Sequence, residues 1–148
     1  MSNPMVRLSS GVDFVELRCH EIGKEPGMSE GDLRLGVSVC SGFFSGAYDE
    51  IWIAQLDWRQ FIQSLTNLER DRRGKASLVA MSPDEFELHI EIVGAAGHIV
   101  AYGFLSNYSW RRPVPIARLS RVEFGFSLDP SLPRILLEEF IALSNLVG

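Results

Sequence analysis

The chain predicts an α+β fold: an antiparallel sheet of about six to seven strands with two amphipathic helices packed on one face, in the order β-β-β-α-β-β-β-β-α. Three observations carry that expectation. Short runs alternate apolar and polar residues with a period of two, as at Leu33, Leu35, Val37 and Val39, the spacing of half-buried strands. Two longer segments repeat apolar residues at helical spacing. The strands are joined by short turns, which select antiparallel pairing.

Taken in order, residues 12–19 read as a first strand, and 20–31, rich in Gly, Glu and Pro, as a surface loop. Residues 33–39 form the second strand. A glycine-punctuated stretch, 41–48, then marks bulges or close backbone approach before Ile51-Trp52-Ile53 continues as a strand. A helix is expected to start at Asp57, with Asp57 as cap, Gln60 three residues on, and Leu56 and Phe61 as an apolar staple. Trp58, Phe61, Ile62, Leu65 and Leu68 make its apolar stripe, and Gly74 ends it.

The following strands allow a register to be argued. Residues 75–81 form one, and Ser82-Pro83-Asp84 is a turn. Gly94-Ala95-Ala96-Gly97 is a hairpin turn, so Ile92 faces Ile99, Ile90 faces Ala101, Leu88 faces Gly103 and Phe86 faces Leu105. The opposite face then carries Glu87, His89 and Glu91 against Phe104, Tyr102 and Val100. A last strand over 116–126 slips phase near Ser120, where one extra residue, a bulge, restores it. Asp129-Pro130 or Ser131 starts the terminal helix. Its core stripe is Leu132, Ile135, Leu136, Phe140, Leu143 and Leu146, with Leu137 and Ile141 as a second ridge. Glu139 falls within the stripe, which calls for an ion-pair partner, Arg118 or Arg121, or a poised acid.

Composition narrows the function. The chain has 148 residues, of which 46% are hydrophobic and 22% charged, which suits one domain over 1–148. A net charge of −5 repels phosphate backbones and argues against nucleic acid as partner. No apolar run reaches the ~18 residues of a membrane span. The first seven residues lack a signal-peptide pattern, and with two cysteines too few for a disulfide framework, a cytoplasmic protein is expected. Phosphate-loop, dinucleotide, zinc-protease, nucleophile-elbow and CxxC motifs are all absent from the sequence.

Several constellations compete for a role. Glu87, His89 and Glu91 project to one strand face and offer metal donors. With no fourth ligand converging, a solvated polar face is favoured, and no metal or other cofactor is expected. The same face supports recognition of a protein: Tyr102 and Phe104 lie between Glu85, Glu87 and Glu91, an aromatic patch rimmed by carboxylates that suits a basic partner. The alternative is that another element covers these aromatics. A small-ligand pocket over Ala101 and Gly103, flanked by Trp52, Trp58 or Trp110, is a second class of function. An enzyme using Glu87, His89 or Glu139 is a third. The cluster Arg70, Arg72, Arg73 and Lys75 is interleaved with acids and reads as a solvated helix end. The Leu137 and Ile141 ridge either packs on a loop or forms a homodimer seam.

The succession Ser41-Gly42-Phe43-Phe44-Ser45-Gly46, Leu56-Asp57-Trp58 with Phe61 and Leu65, and Gly74-Lys75-Ala76 resembles the WapI-type immunity proteins and their bacterial relatives. The likeness continues through Gly97-His98-Ile99-Val100 and Phe124-x-Phe126-x-x-Asp129-x-Ser131-Leu132, from about Leu33 onward. It implies a small, non-enzymatic bacterial protein that binds and blocks a cognate toxin domain. The acidic face would suit a basic toxin, such as a nuclease. The resemblance carries no catalytic residues.

Overall fold

A computed structural model describes residues 4–24, 30–108 and 118–144. The strands form two sheets. β1 (Met5–Ser10), β2 (Asp13–Ile22), β3 (Leu33–Ser41) and β4 (Phe44–Ile53) make one antiparallel meander, followed by α1 (Gln55–Asp71). β5 (Lys75–Val79), β6 (Phe86–Val93), β7 (His98–Tyr108) and β8 (Arg118–Leu128) make a second, followed by α2 (Leu132–Ser144). The α+β class holds, but the expected single sheet of six to seven strands is divided into two sheets of four. The order is ββββα repeated twice, a topological repeat not visible in the residues. Among the described residues each sheet pairs only strands that are neighbours in sequence. Periodicity assigns a side chain to a face; it does not say which sheet a strand joins.

Nor do both helices lie on one face. α1 packs chiefly on β5, in the second half, while α2 packs on β1 and β2, in the first, and the helices touch each other. β8 runs against β1, β2, β3 and β4. One core results, holding side chains from both sheets and both helices. At its helical centre Trp58, Phe61 and Phe140 meet, with Phe61 and Phe140 edge to face at 4.9 Å.

The local details follow sequence with some corrections. α1 begins at Gln55, and its first N–H is held from outside: Asp32 Oδ1 accepts from Gln55 N at 2.9 Å. Asp57 therefore lies in the first turn and not at the cap, and Leu56 is exposed and makes no staple. The buried stripe is Trp58, Phe61, Leu65 and Leu68, and Arg72 in the left-handed conformation closes the helix two residues before Gly74. In α2 the buried residues are Pro133, Leu136, Phe140 and Leu143, whereas Ile135 is exposed. Leu146 lies outside the described residues. Leu137 is half-buried against the core, and Ile141 is exposed.

The β6–β7 register is the expected one, from Phe86 opposite Leu105 to Ile92 opposite Ile99, with Gly97 N donating to Gly94 O. The bulge in β8 also appears: Asn107 pairs with Ser120 and Tyr108 with Arg118, leaving residue 119 unmatched. Gly103 is needed where it stands. Its φ is +157°, and a Cβ there would collide with the Glu87 carbonyl oxygen and sit 3.1 Å from Phe124 Cζ. The groove expected over Ala101 and Gly103 is thus occupied by the Phe124 ring, and Ala101 has no accessible surface.

Candidate functional site

Strand alternation sends Ala76, Leu78, Leu88, Ile90, Ala101 and Leu105 into the core. The intervening residues of the second sheet must then point outward. There Ser77 lies opposite His89, and His89 opposite Tyr102, in one row across three strands. Ser77 Oγ is 2.7 Å from His89 Nδ1, and His89 Nε2 is 3.0 Å from Glu87 Oε1. A carboxylate at Nε2 fixes the tautomer with its proton there, leaving Nδ1 to accept from the Ser77 hydroxyl. The His89 and Tyr102 rings lie 5.0 Å apart, tilted by 31°. Tyr102 donates its hydroxyl to Glu91 Oε1 at 2.6 Å. That bond first, then partial burial and the carboxylate's charge, raises the phenol's pKa.

Four of the six residues singled out in sequence therefore meet on one face: Glu87, His89, Glu91 and Tyr102, all half-buried. The other two stand apart. Glu85 precedes β6 and is buried, and burial raises the pKa of its carboxyl. Phe104 belongs to the same face but is covered. The Arg121 guanidinium carbon lies 3.6 Å from its ring centroid, and Arg121 also donates to Glu123 at 2.9 Å. Arg121 and Lys75 add positive charge to the outer face, so it is less acidic than the β6 residues alone suggest. Arg121 is consequently not the partner of Glu139, whose pKa is raised by burial; the Arg118 side chain lies outside the described residues. Glu139 sits on α2, on a separate element from Glu87 and His89.

One aromatic missed in the sequence, Phe44, extends the face. Phe43 and Phe44 form the tip of the β3–β4 hairpin, where Gly42 has φ +62° and its N–H donates to Asp13 Oδ1 at 2.8 Å. Phe43 is fully exposed and Phe44 is 74% exposed. An open cleft of about 360 Å³ joins Ser41 and Phe44 to Arg121, Val122 and Glu123. A second of about 300 Å³ joins Arg121 and Glu123 to Phe104, Tyr102 and His89. One surface thus runs from His89 and Tyr102, over the Arg121–Glu123 pair, to Phe44. Phe43 lies in the turn and Phe44 is the first residue of β4; the turn was signalled in the sequence by Gly42, whereas the exposure of Phe44 was not. Ser77 was legible, once the β5–β6 register is carried through.

Among the described residues no group of three His, Cys, Asp or Glu side chains is placed to hold a metal, and no helix is long and apolar enough to cross a membrane. Trp110 lies outside the described residues. Comparison with known proteins finds no matching family model, no matching curated protein and no matching solved structure.

Proposed function

We propose that the chain is a non-enzymatic bacterial binding protein of the cytoplasm, an immunity protein that holds and blocks a toxin domain through the outer face of its second sheet. The supporting observation is the continuous surface from His89 and Tyr102 to the exposed Phe44. Such a surface joins a preordered polar lattice to apolar anchors. The hydrogen bonds among Ser77, His89, Glu87, Tyr102 and Glu91 restrict these side chains before any partner arrives, which lowers the entropic cost of docking. Exposed aromatics supply the anchoring contacts that dominate most interfaces.

The test is co-expression with a toxin domain encoded next to this chain in its genome. Protection of the host cell is expected, with binding weakened at least about tenfold by Phe44→Ala or by Tyr102→Ala, the loss typical of one anchor residue. Absence of protection, or protection unaffected by both substitutions, overturns the reading.

A second reading rests on the Ser77–His89–Glu87 chain, whose order of hydroxyl, imidazole and carboxylate is that of a nucleophilic serine. It ranks second because, among the described residues, no element covers the row to exclude water. Covalent labelling of Ser77 by a fluorophosphonate, abolished by His89→Ala, would establish it; no labelling disposes of it.

A further inference from the structure

β5 lies at the end of its sheet and, among the described residues, pairs only with β6. The phase of that pairing is fixed by its flanks: Ala80 N donates to Phe86 O, and Ile92 N donates to Gly74 O. In an antiparallel ladder, bonding to a given neighbour alternates along the strand. The even-numbered residues of β5 therefore bond to β6, and the N–H and C=O groups of Lys75, Ser77 and Val79 point to the free side. Among the described residues none of these three N–H groups has a hydrogen-bond acceptor. The next outward group, Met81 N, does have one, the Trp52 carbonyl of β4, so the open edge is three odd positions long.

α1 does not fill the space. An open groove of about 450 Å³ lies between Asp57, Gln60 and Ser64 of the helix and Lys75, Ser77 and Val79 of the strand. An unpaired edge beside free space is a template for another strand.

We propose that the occupant is a second copy of this chain, with the two β5 strands paired antiparallel about Ser77. Three features favour it. The outward positions 75, 77 and 79 are centred on Ser77, so a two-fold axis there satisfies every outward donor and acceptor with the equivalent groups of the other copy. Lys75, which makes no ion pair among the described residues, then lies against Val79 of the second copy. Val79 is itself opposite Glu87 and Lys75 is itself opposite Glu91, so each Lys75 ammonium falls between one copy's Glu91 and the other copy's Glu87. Val79, 38% exposed in the single chain, is covered. The pairing joins the two His89–Tyr102 faces into one eight-stranded surface, and it stands whether or not a toxin is the partner.

The experiment measures mass by light scattering and amide hydrogen exchange on the intact chain. The expected result is a mass twice the chain's 16.6 kDa, with Lys75, Ser77 and Val79 amides protected. Dilution to the monomer should release them. Val79→Lys sets two ammonium groups against each other at each end and should weaken the dimer, while Val79→Glu should strengthen it; both keep the β5–β6 backbone ladder, and because position 79 faces Glu87, the urea stability of each variant's monomer is measured alongside. A monomer at all concentrations overturns the proposal, whether those amides exchange freely or are covered by another segment. So does a dimer indifferent to both Val79 variants and dissociated instead by Ile141→Glu, which would place the seam on α2.

Discussion

Tyr102 and Glu91 sit diagonally across β6 and β7 and share a hydrogen bond of 2.6 Å. The phenol is neutral while it donates, so the pair favours the protonated Tyr102 and raises its pKa. The folded state is therefore stabilised at pH values below the phenol's unfolded pKa, and that contribution is lost as pH rises through the raised folded value. Ultraviolet titration of Tyr102 should show ionisation above the ordinary ~10, and Glu91→Gln should move it back toward that value.

Glu85 has the sign unusual for a carboxylate. It is 9% exposed, and burial raises its pKa. A raised acid favours its neutral form in the fold, so its contribution is fully present below the unfolded pKa of ~4.3 and is lost as pH rises through the folded value. Glu85→Gln keeps the backbone bonds from Ser106 N to Glu85 O and from Glu85 N to Ser82 O. It should stabilise the protein at pH 7, and the gain should vanish near pH 4, as read from urea midpoints across pH.

Gly103→Ala should be among the most damaging single-methyl additions. The new Cβ meets the Glu87 carbonyl oxygen on one side and Phe124 on the other, at a φ of +157° that L residues rarely adopt. Strain and overpacking together should cost about 2–4 kcal/mol, measured by urea denaturation. A loss under ~0.5 kcal/mol would mean that β6 and β7 separate more easily than this packing implies.

Asp32 caps α1 from 23 residues away and is 6% exposed. Asp32→Ala should cost about 1–2 kcal/mol, seen as a lowered Tm. Asp32→Asn keeps an acceptor and should lose less. Asp57→Ala, which removes a side chain not used as a cap, should lose less still.

What could be read beforehand divides by range. The β6–β7 register was legible because strict alternation runs into Gly94 and Gly97 at both ends of one short turn. The β8 bulge was legible as a slip in the same alternation. β1 was missed because Met5–Ser10 offers only Val6 and Leu8 as buried positions, too few to set a period. The start of α1 was misplaced because its cap comes from a distant loop, which no local pattern encodes. Of the site, Glu87, His89, Glu91 and Tyr102 were read from one hairpin. Arg121, which removes Phe104 from the surface, arrives from the next strand with a side chain long enough to cross to its neighbour. Phe44 reaches the site from the other sheet altogether.

The two helices exchange places: each is made by one half of the chain and seals the other half's strands. A chain cut at Arg73–Gly74 would therefore yield two pieces that each lack their own lid. Expressed separately, each should aggregate or stay unfolded; mixed, they should reconstitute the intact molecule. Duplicated topology ordinarily licenses separation into independent modules, and here the exchange makes the two halves obligate companions.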